Sequence, residues 1–319
     1  MNLAEMVENV NVECHPNTVI DTSIKRWLNA GQKIVASKAP KHGWFWLRQF
    51  DYTFATTSEN DEYALSPLVD TSKIIMLRDE EVPRMIVNMT DQYFRSFEPG
   101  PTATGDSYIY RVVGFSPVQN QPTSASVLTF VSDSVSDNQL IRIQGRDSSD
   151  VFIQETVTLN GTSSVPSTKS FAKVMSLSKS AATVGAVTCT SNAGVVTNVE
   201  ISASSRSISH PIVKLFSIPD SVKTITYDFT MKMQNIVNDN DISLLPEQYH
   251  DVPELYAKHR CYNHLNNPQM AGALLQEFLL RIEDMKNDHV QPSSVWSVGS
   301  DSDDSIPLGV FPSNFPRTN

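Results

Sequence analysis

The side chains with most capacity for chemistry are seven histidines and three cysteines. His250, His259 and His264 lie nearest one another. His259 and His264 are five residues apart, which turns them to different sides of a helix and matches no metal-ligand spacing. His259 also falls inside an apolar stripe, the place of a core histidine with a satisfied ring. Cys14, Cys189 and Cys261 are odd in number and far apart. They form no CxxC pair, which implies neither a disulfide framework nor a metal knuckle and fits a reducing compartment. Acidic clusters stand at Asp79-Glu80-Glu81, at Asn238-Asp239-Asn240-Asp241 and from Asp301 to Asp304. The second offers closely spaced oxygens, yet it lacks the glycine and distal glutamate of a calcium loop. All three are expected to be solvated loops. With 12 glycines the chain has no phosphate-cradling loop and no nucleophile elbow. No catalytic, metal or cofactor residue is therefore expected, and the reading is against an enzyme.

One stretch invites a binding function. Between Thr22 and Phe50 there is no acid, while Lys25, Arg26, Lys33, Lys38, Lys41 and Arg48 accumulate beside Trp44, Phe45 and Trp46. Cations interleaved with aromatics can form a stacking surface for single-stranded nucleic acid. The same residues also suit a helix whose rings face the core and whose charges meet an acidic protein neighbour. The whole chain carries a formal charge of −10 with 319 residues, and an acidic balance is the opposite of a dedicated nucleic-acid footprint. A charged protein interface is the expected use of these six positions.

The elements that must hold these residues fall into three compositional zones. In the first, Leu3, Met6, Val7 and Val10 predict a short helix, and Ile20, Ile24, Trp27, Leu28, Gly31, Ile34 and Val35 predict a second, ended by Pro40. The period then shortens. Asp51 to Thr57, Glu62 to Ser66, Lys73 to Arg78 and Tyr108 to Phe115 predict strands, with the stretch from Pro83 to Phe97 ambiguous and a short helix possible from Met89.

The second zone, residues 116–210, is rich in serine and threonine, and its only aromatics are Phe130, Phe152 and Phe171. Six strands are predicted, at Ser126–Ser132, Gln139–Gly145, Val151–Leu159, Phe171–Leu177, Ala186–Thr190 and Val195–Ala203, separated by turns such as Asn160-Gly161. Strands at this spacing predict an antiparallel sandwich. The third zone holds strands from Ile212 to Phe216 and Val222 to Met233. Two helices follow, one bearing Val252, Leu255, Tyr256, His259 and Tyr262, the other Met270, Leu274, Leu275, Phe278, Ile282 and Met285. Asn267-Pro268 reads as N-cap and first turn of the last helix.

The expected fold is thus α+β: residues 1–115 and 211–289 form one split domain of helices with a small antiparallel sheet, and residues 116–210 form an inserted all-β sandwich, which in outline resembles immunoglobulin-like domains. Residues 290–319 are an extended tail, rich in Ser, Asp and Pro, with spaced apolar anchors Trp296, Ile306, Leu308, Phe311 and Phe315. The N-terminus shows no basic or apolar leader pattern, no run reaches membrane-span length, and the two sequons at Asn88 and Asn160 are expected to be chance matches.

The outer zones resemble tailed-bacteriophage head-to-tail adaptor (connector) proteins. The likeness rests on Asp21-Thr22-Ser23-Ile24-Lys25-Arg26-Trp27-Leu28-Asn29, Trp44-Phe45-Trp46-Leu47-Arg48 and Tyr63-Ala64-Leu65-Ser66-Pro67 at one end. At the other it rests on Ile218-Pro219-Asp220, Ile225-Thr226-Tyr227, Leu245-Pro246-Glu247-Gln248-Tyr249 and the helix closing at Met285-Lys286. It covers about residues 1–97 and 211–289, and its motifs are packing residues and turns. It implies a virion neck protein that needs no cofactor. Such a protein forms a homo-oligomeric ring, twelve-fold in this family, below the portal protein ring. It joins a downstream tail or neck protein and lets genomic DNA pass without sequence recognition. It also implies that the tail anchors grip the portal. The competing expectation is a tail or surface-exposed virion protein whose sandwich binds carbohydrate or a host surface.

Overall fold

The computed structural model describes residues 1–14, 21–40, 43–81, 84–90, 92, 94, 104–192 and 194–288. Helix α1 (Leu3–Glu13) opens with a capping box: the Asn2 side chain accepts the Glu5 amide, and the Glu5 carboxylate accepts the Asn2 amide, both at 2.9 Å. Helix α2 (Asp21–Ser37) buries Ile24, Trp27, Leu28, Gly31, Gln32 and Val35. A 3-10 turn at Phe45–Leu47 leads into the strands. The C-terminal pair is α3 (Asp251–His264) and α4 (Pro268–Asp288). As the Asn-Pro pair predicts, Asn267 Oδ1 accepts the Met270 amide at the start of α4. Helix α3 packs against α1, α2 and α4. Gly31 lets α2 close on it, since a Cβ there would lie 3.2 Å from Pro253 Cα.

Because α3 is covered on several sides, it buries Glu254 and Lys258 as well as its apolar stripe. Asn9 donates to Glu254 at 3.0 Å, and Lys258 pairs with Glu13 at 2.5 Å. Two charged side chains on α3 are thus satisfied by α1, a use that helical periodicity does not reveal.

The strands outside residues 116–210 make one seven-stranded sheet that curls into a half-barrel. Its members are β1 (Arg48–Ala55), β2 (Glu62–Ala64), β3 (Val69–Asp79), β4 (Arg84–Asn88), β5 (Ile109–Ser116), β13 (His210–Phe216) and β14 (Thr224–Met231). The order is β1-β14-β3-β4-β5-β13-β2. All neighbours are antiparallel except β4 and β5, which run parallel with Val87 opposite Ile109. Tyr63, Leu65, Val69, Leu77, Ile86, Tyr110, Val213, Leu215, Ile225, Tyr227 and Phe229 fill one core of this sheet.

This corrects the expected fold class. Among the described residues β structure predominates, with 38% strand and 27% helix, and the split part is not a helical domain with a small sheet. Strands that look short and separate in sequence are joined by pairings their local pattern does not encode. β14 sits between β1 and β3, with Phe54 opposite Ile225 and Leu77 opposite Tyr227. The ambiguous stretch holds strand β4, with Gln92 and Phe94 helical beyond it; the rest of 91–103 lies outside the described residues.

Residues 116–210 form two packed sheets from β6 (Ser126–Ser132), β7 (Leu140–Arg146), β8 (Phe152–Thr158), β9 (Val165–Phe171), β10 (Lys173–Lys179), β11 (Val187–Ser191) and β12 (Val196–Ile201). One is β10-β7-β8 and the other β12-β11-β6-β9, all antiparallel. Leu128, Phe130, Ile141, Ile143, Phe171, Leu177 and Val199 belong to a core drawn entirely from this segment. The expected six strands are seven. Pro166 interrupts the β pattern of β9, yet β9 is an edge strand, where proline is tolerated. With β6 between β11 and β9, the sandwich is only weakly compatible with an immunoglobulin-like domain.

Candidate interaction surface

The predicted chemical residues are held by main-chain groups. His250 Nε2 lies 2.8 Å from the Leu245 carbonyl, with its Nδ1 3.1 Å from the Met1 amino group. His259 Nδ1 lies 2.8 Å from the Ala271 carbonyl, which ties α3 to α4. Among the described residues no group of three His, Cys, Asp or Glu is placed to hold a metal ion.

The Asn238–Asp241 loop is built around its own backbone. Asp241 accepts the amides of Val237 and Asn238 at 2.7 and 2.8 Å, which holds its carboxyl below the ordinary range. The carbonyls of Asp241 and Asp239 accept the first amides of α1, and the Asp239 carboxylate pairs with Lys25 at 2.5 Å. The loop therefore closes the N-terminus of α1.

The six cations of the basic stretch do not converge. Lys25 is engaged with Asp239, Arg26 and Lys33 are exposed on α2, Lys38 is exposed just past its end, Arg48 is half-buried at the start of β1, and Lys41 lies outside the described residues. Trp44 is fully buried and donates from Nε1 to the Val35 carbonyl at 2.9 Å. Trp46 stacks on it at 4.4 Å between centroids. Two of the three rings proposed for base stacking thus serve the core, and Phe45 alone is exposed. The tail anchors Trp296, Ile306, Leu308, Phe311 and Phe315 lie outside the described residues.

Two grooves flank the junction between the split body and the inserted sandwich. One, of about 830 Å³, brings Lys33 together with Lys73, Lys232 and Asp70 beside the serines of residues 202–209. The other, of about 1170 Å³, lies between Phe54, Tyr63 and Phe115 on the body and Gln121, Lys173 and Met175 on the sandwich. Gln121 pins the junction. Its side chain takes the Val174 amide at 2.8 Å and donates to the Val174 carbonyl and to Ser116 Oγ at 3.0 and 3.1 Å. His210 closes it from the other strand, its Nδ1 3.1 Å from the Leu65 carbonyl.

The sandwich presents a surface that composition does not disclose. Alternation along β7 sends Ile141 and Ile143 inward and Leu140, Arg142, Gln144 and Arg146 outward. The ladder register places Lys173 and Phe152 on either side of Arg146, and Ser176 and Gln154 on either side of Gln144. The outward positions of this sheet hold three cations and no carboxylate. The nearest acid, Asp150 in the β7–β8 turn, pairs with Arg146. The period-two pattern of Leu140–Arg146 carries the signal for this face, once the strand is known to be buried on one side only.

No protein-family model matches the chain, and no curated protein matches its sequence.

Proposed function

We propose that this chain is a structural assembly protein, a head-to-tail adaptor that forms a ring of identical copies below a portal in a phage neck. One observation carries the reading. The two segments that resemble adaptor proteins, from opposite ends of the chain, share a single core in which Val35, Trp44 and Leu47 pack with Leu245, Tyr249, Phe278 and Met285. The motif residues therefore act as parts of one body, with the sandwich carried between adjacent strands β5 and β13. A rigid body bearing an accessory domain suits a protein whose work is to join others. The seven-stranded half-barrel is this chain's departure from the helical body that the resemblance implies.

The reading is tested by mixing the purified chain with a purified portal ring and examining the product by sedimentation and electron microscopy. A coaxial ring of the chain on the portal is expected, and removal of residues 290–319 with their five apolar anchors should weaken the joining. A chain that leaves the portal bare at every concentration would overturn it. Docking undiminished by the truncation would overturn the role of the tail.

A further inference from the structure

Charge is divided unevenly between the inserted sandwich and the rest. Residues 116–210 hold six basic and six acidic side chains, so the whole net charge of −10 lies on the other segments, which carry 19 basic and 29 acidic residues. Within the neutral sandwich, Arg142, Arg146 and Lys173 share the outward face of the β10-β7-β8 sheet. Leu140 and Phe152 stand on that face with 40% and 56% of their surface exposed.

A surface of opposite character lies on α4. Its buried stripe is Ala271, Leu274, Phe278, Ile282 and Met285. The reverse side exposes Leu280 at 66% beside the exposed carboxylates of Glu277 and Asp284, and Leu279, 44% exposed, stands on the other flank. The helix's own cations are engaged, Arg281 with Asp251 and Lys286 with Glu283. The sheet face sets Arg142 and Lys173 between the apolar residues at its two ends, with Arg146 paired to Asp150, whereas the α4 face sets carboxylates beside Leu280, so the free charges of the two surfaces are opposite in sign.

We propose that the outward face of the β10-β7-β8 sheet in one copy docks on the outer face of α4 in a second copy. The proposal rests on the ring reading above and assigns its interface. Because the two surfaces differ, the contact is heterologous, the kind that closes into a ring or propagates as a filament. Size sets its strength. Three strands of seven residues span roughly 24 by 14 Å, and a 21-residue helix is about 32 Å long. The overlap is on the order of 300–400 Å² per copy, below the roughly 800 Å² of a stable pair. A single contact is therefore weak, and the assembled state depends on ring closure or on a template. Exposed charges make it weaker still as salt rises.

The test is sedimentation velocity of the full chain at high concentration and low salt, with tryptophan fluorescence confirming that each variant is folded. Wild type should self-associate. Arg142→Glu with Lys173→Glu should weaken this at least tenfold, as should Glu277→Lys with Asp284→Lys. All four changes in one chain should restore it, because the charges are then exchanged across the interface. Failure of the fourfold variant to recover, or self-association untouched by the sheet reversal, would overturn the proposal. So would loss of binding to a sulfated glycan in the sheet variant with association unchanged, which would make the face an anionic-glycan site. The two readings separate on the portal. If the sheet-reversed chain still forms rings there, the interface is wrong and the ring stands. If wild type neither associates nor forms rings, the ring reading itself fails.

Discussion

Replacing Gly185 by alanine should destabilise the sandwich selectively. Gly185 lies in the loop before β11, where an added Cβ would stand 2.6 Å from the Ser134 amide nitrogen and 3.0 Å from both the Asp133 carbonyl carbon and Ser132 Oγ. Ordinary contact begins near 3.4 Å, so the 132–134 backbone must retreat by most of an ångström. That retreat strains the bond from the Asp133 amide to the Ala186 carbonyl, now 3.0 Å. It also disturbs the buried carboxylate of Asp137, which accepts the amides of Val184 and Gly185. Overpacking of this kind costs about 1–3 kcal/mol, and a lost backbone bond about 1 kcal/mol. A total of roughly 2–4 kcal/mol corresponds to a fall in melting temperature of about 8–30 °C for a unit of this size.

The assay exploits the residue distribution. All four tryptophans, Trp27, Trp44, Trp46 and Trp296, lie outside residues 116–210, and the sandwich core shares no member with the cores of the body. Tryptophan fluorescence in a urea titration therefore reports the body, while far-UV circular dichroism reports both parts. Gly185→Ala should move a circular-dichroism transition to lower urea and leave the fluorescence midpoint in place. Coincident displacement of both signals would show that the parts unfold as one unit. No displacement of either would refute the packing argument.

Three further outcomes are expected. Gln121→Ala leaves the buried Val174 amide without its acceptor, at a cost of about 1–3 kcal/mol; hydrogen exchange at Val174 should accelerate, and unchanged protection would contradict the pinning role. Burial holds the His210 imidazole below its ordinary value, opposed by the Leu65 carbonyl and reinforced by Lys232. The native state then binds fewer protons than the unfolded chain, so stability is lost as pH falls below about 6.5. His210→Gln should narrow the difference in urea midpoint between pH 7.5 and 5.5, and an equal difference in variant and wild type would sink the assignment. Finally, burial pushes the Cys14 and Cys189 thiols up to about 12, and Cys261 is fully buried. A thiol reagent at pH 8 should label no described cysteine quickly in the native protein and all three on denaturation; rapid native labelling would contradict the packing.

Much was legible in the residues alone, for local reasons. The apolar spacing of Leu3 to Val10 and of Ile24 to Val35 specified α1 and α2, and Asn267-Pro268 specified the start of α4, because helical periodicity and capping act within a few residues. The serine-rich, tryptophan-free composition marked residues 116–210 as different in kind, and alternation marked Ile153, Val157 and Leu159 as one face. The sheet was another matter. A strand's pattern records which side is buried but not which strand lies beside it, so β14 between β1 and β3 and β4 parallel to β5 emerge only from packing. The surfaces follow the same division. The basic stretch from Lys25 to Arg48 looks like a patch because it is continuous in sequence, yet folding buries its tryptophans and disperses its charges. Arg142, Arg146 and Lys173 look scattered and come to share a face, because ladder register brings together residues that no local rule connects.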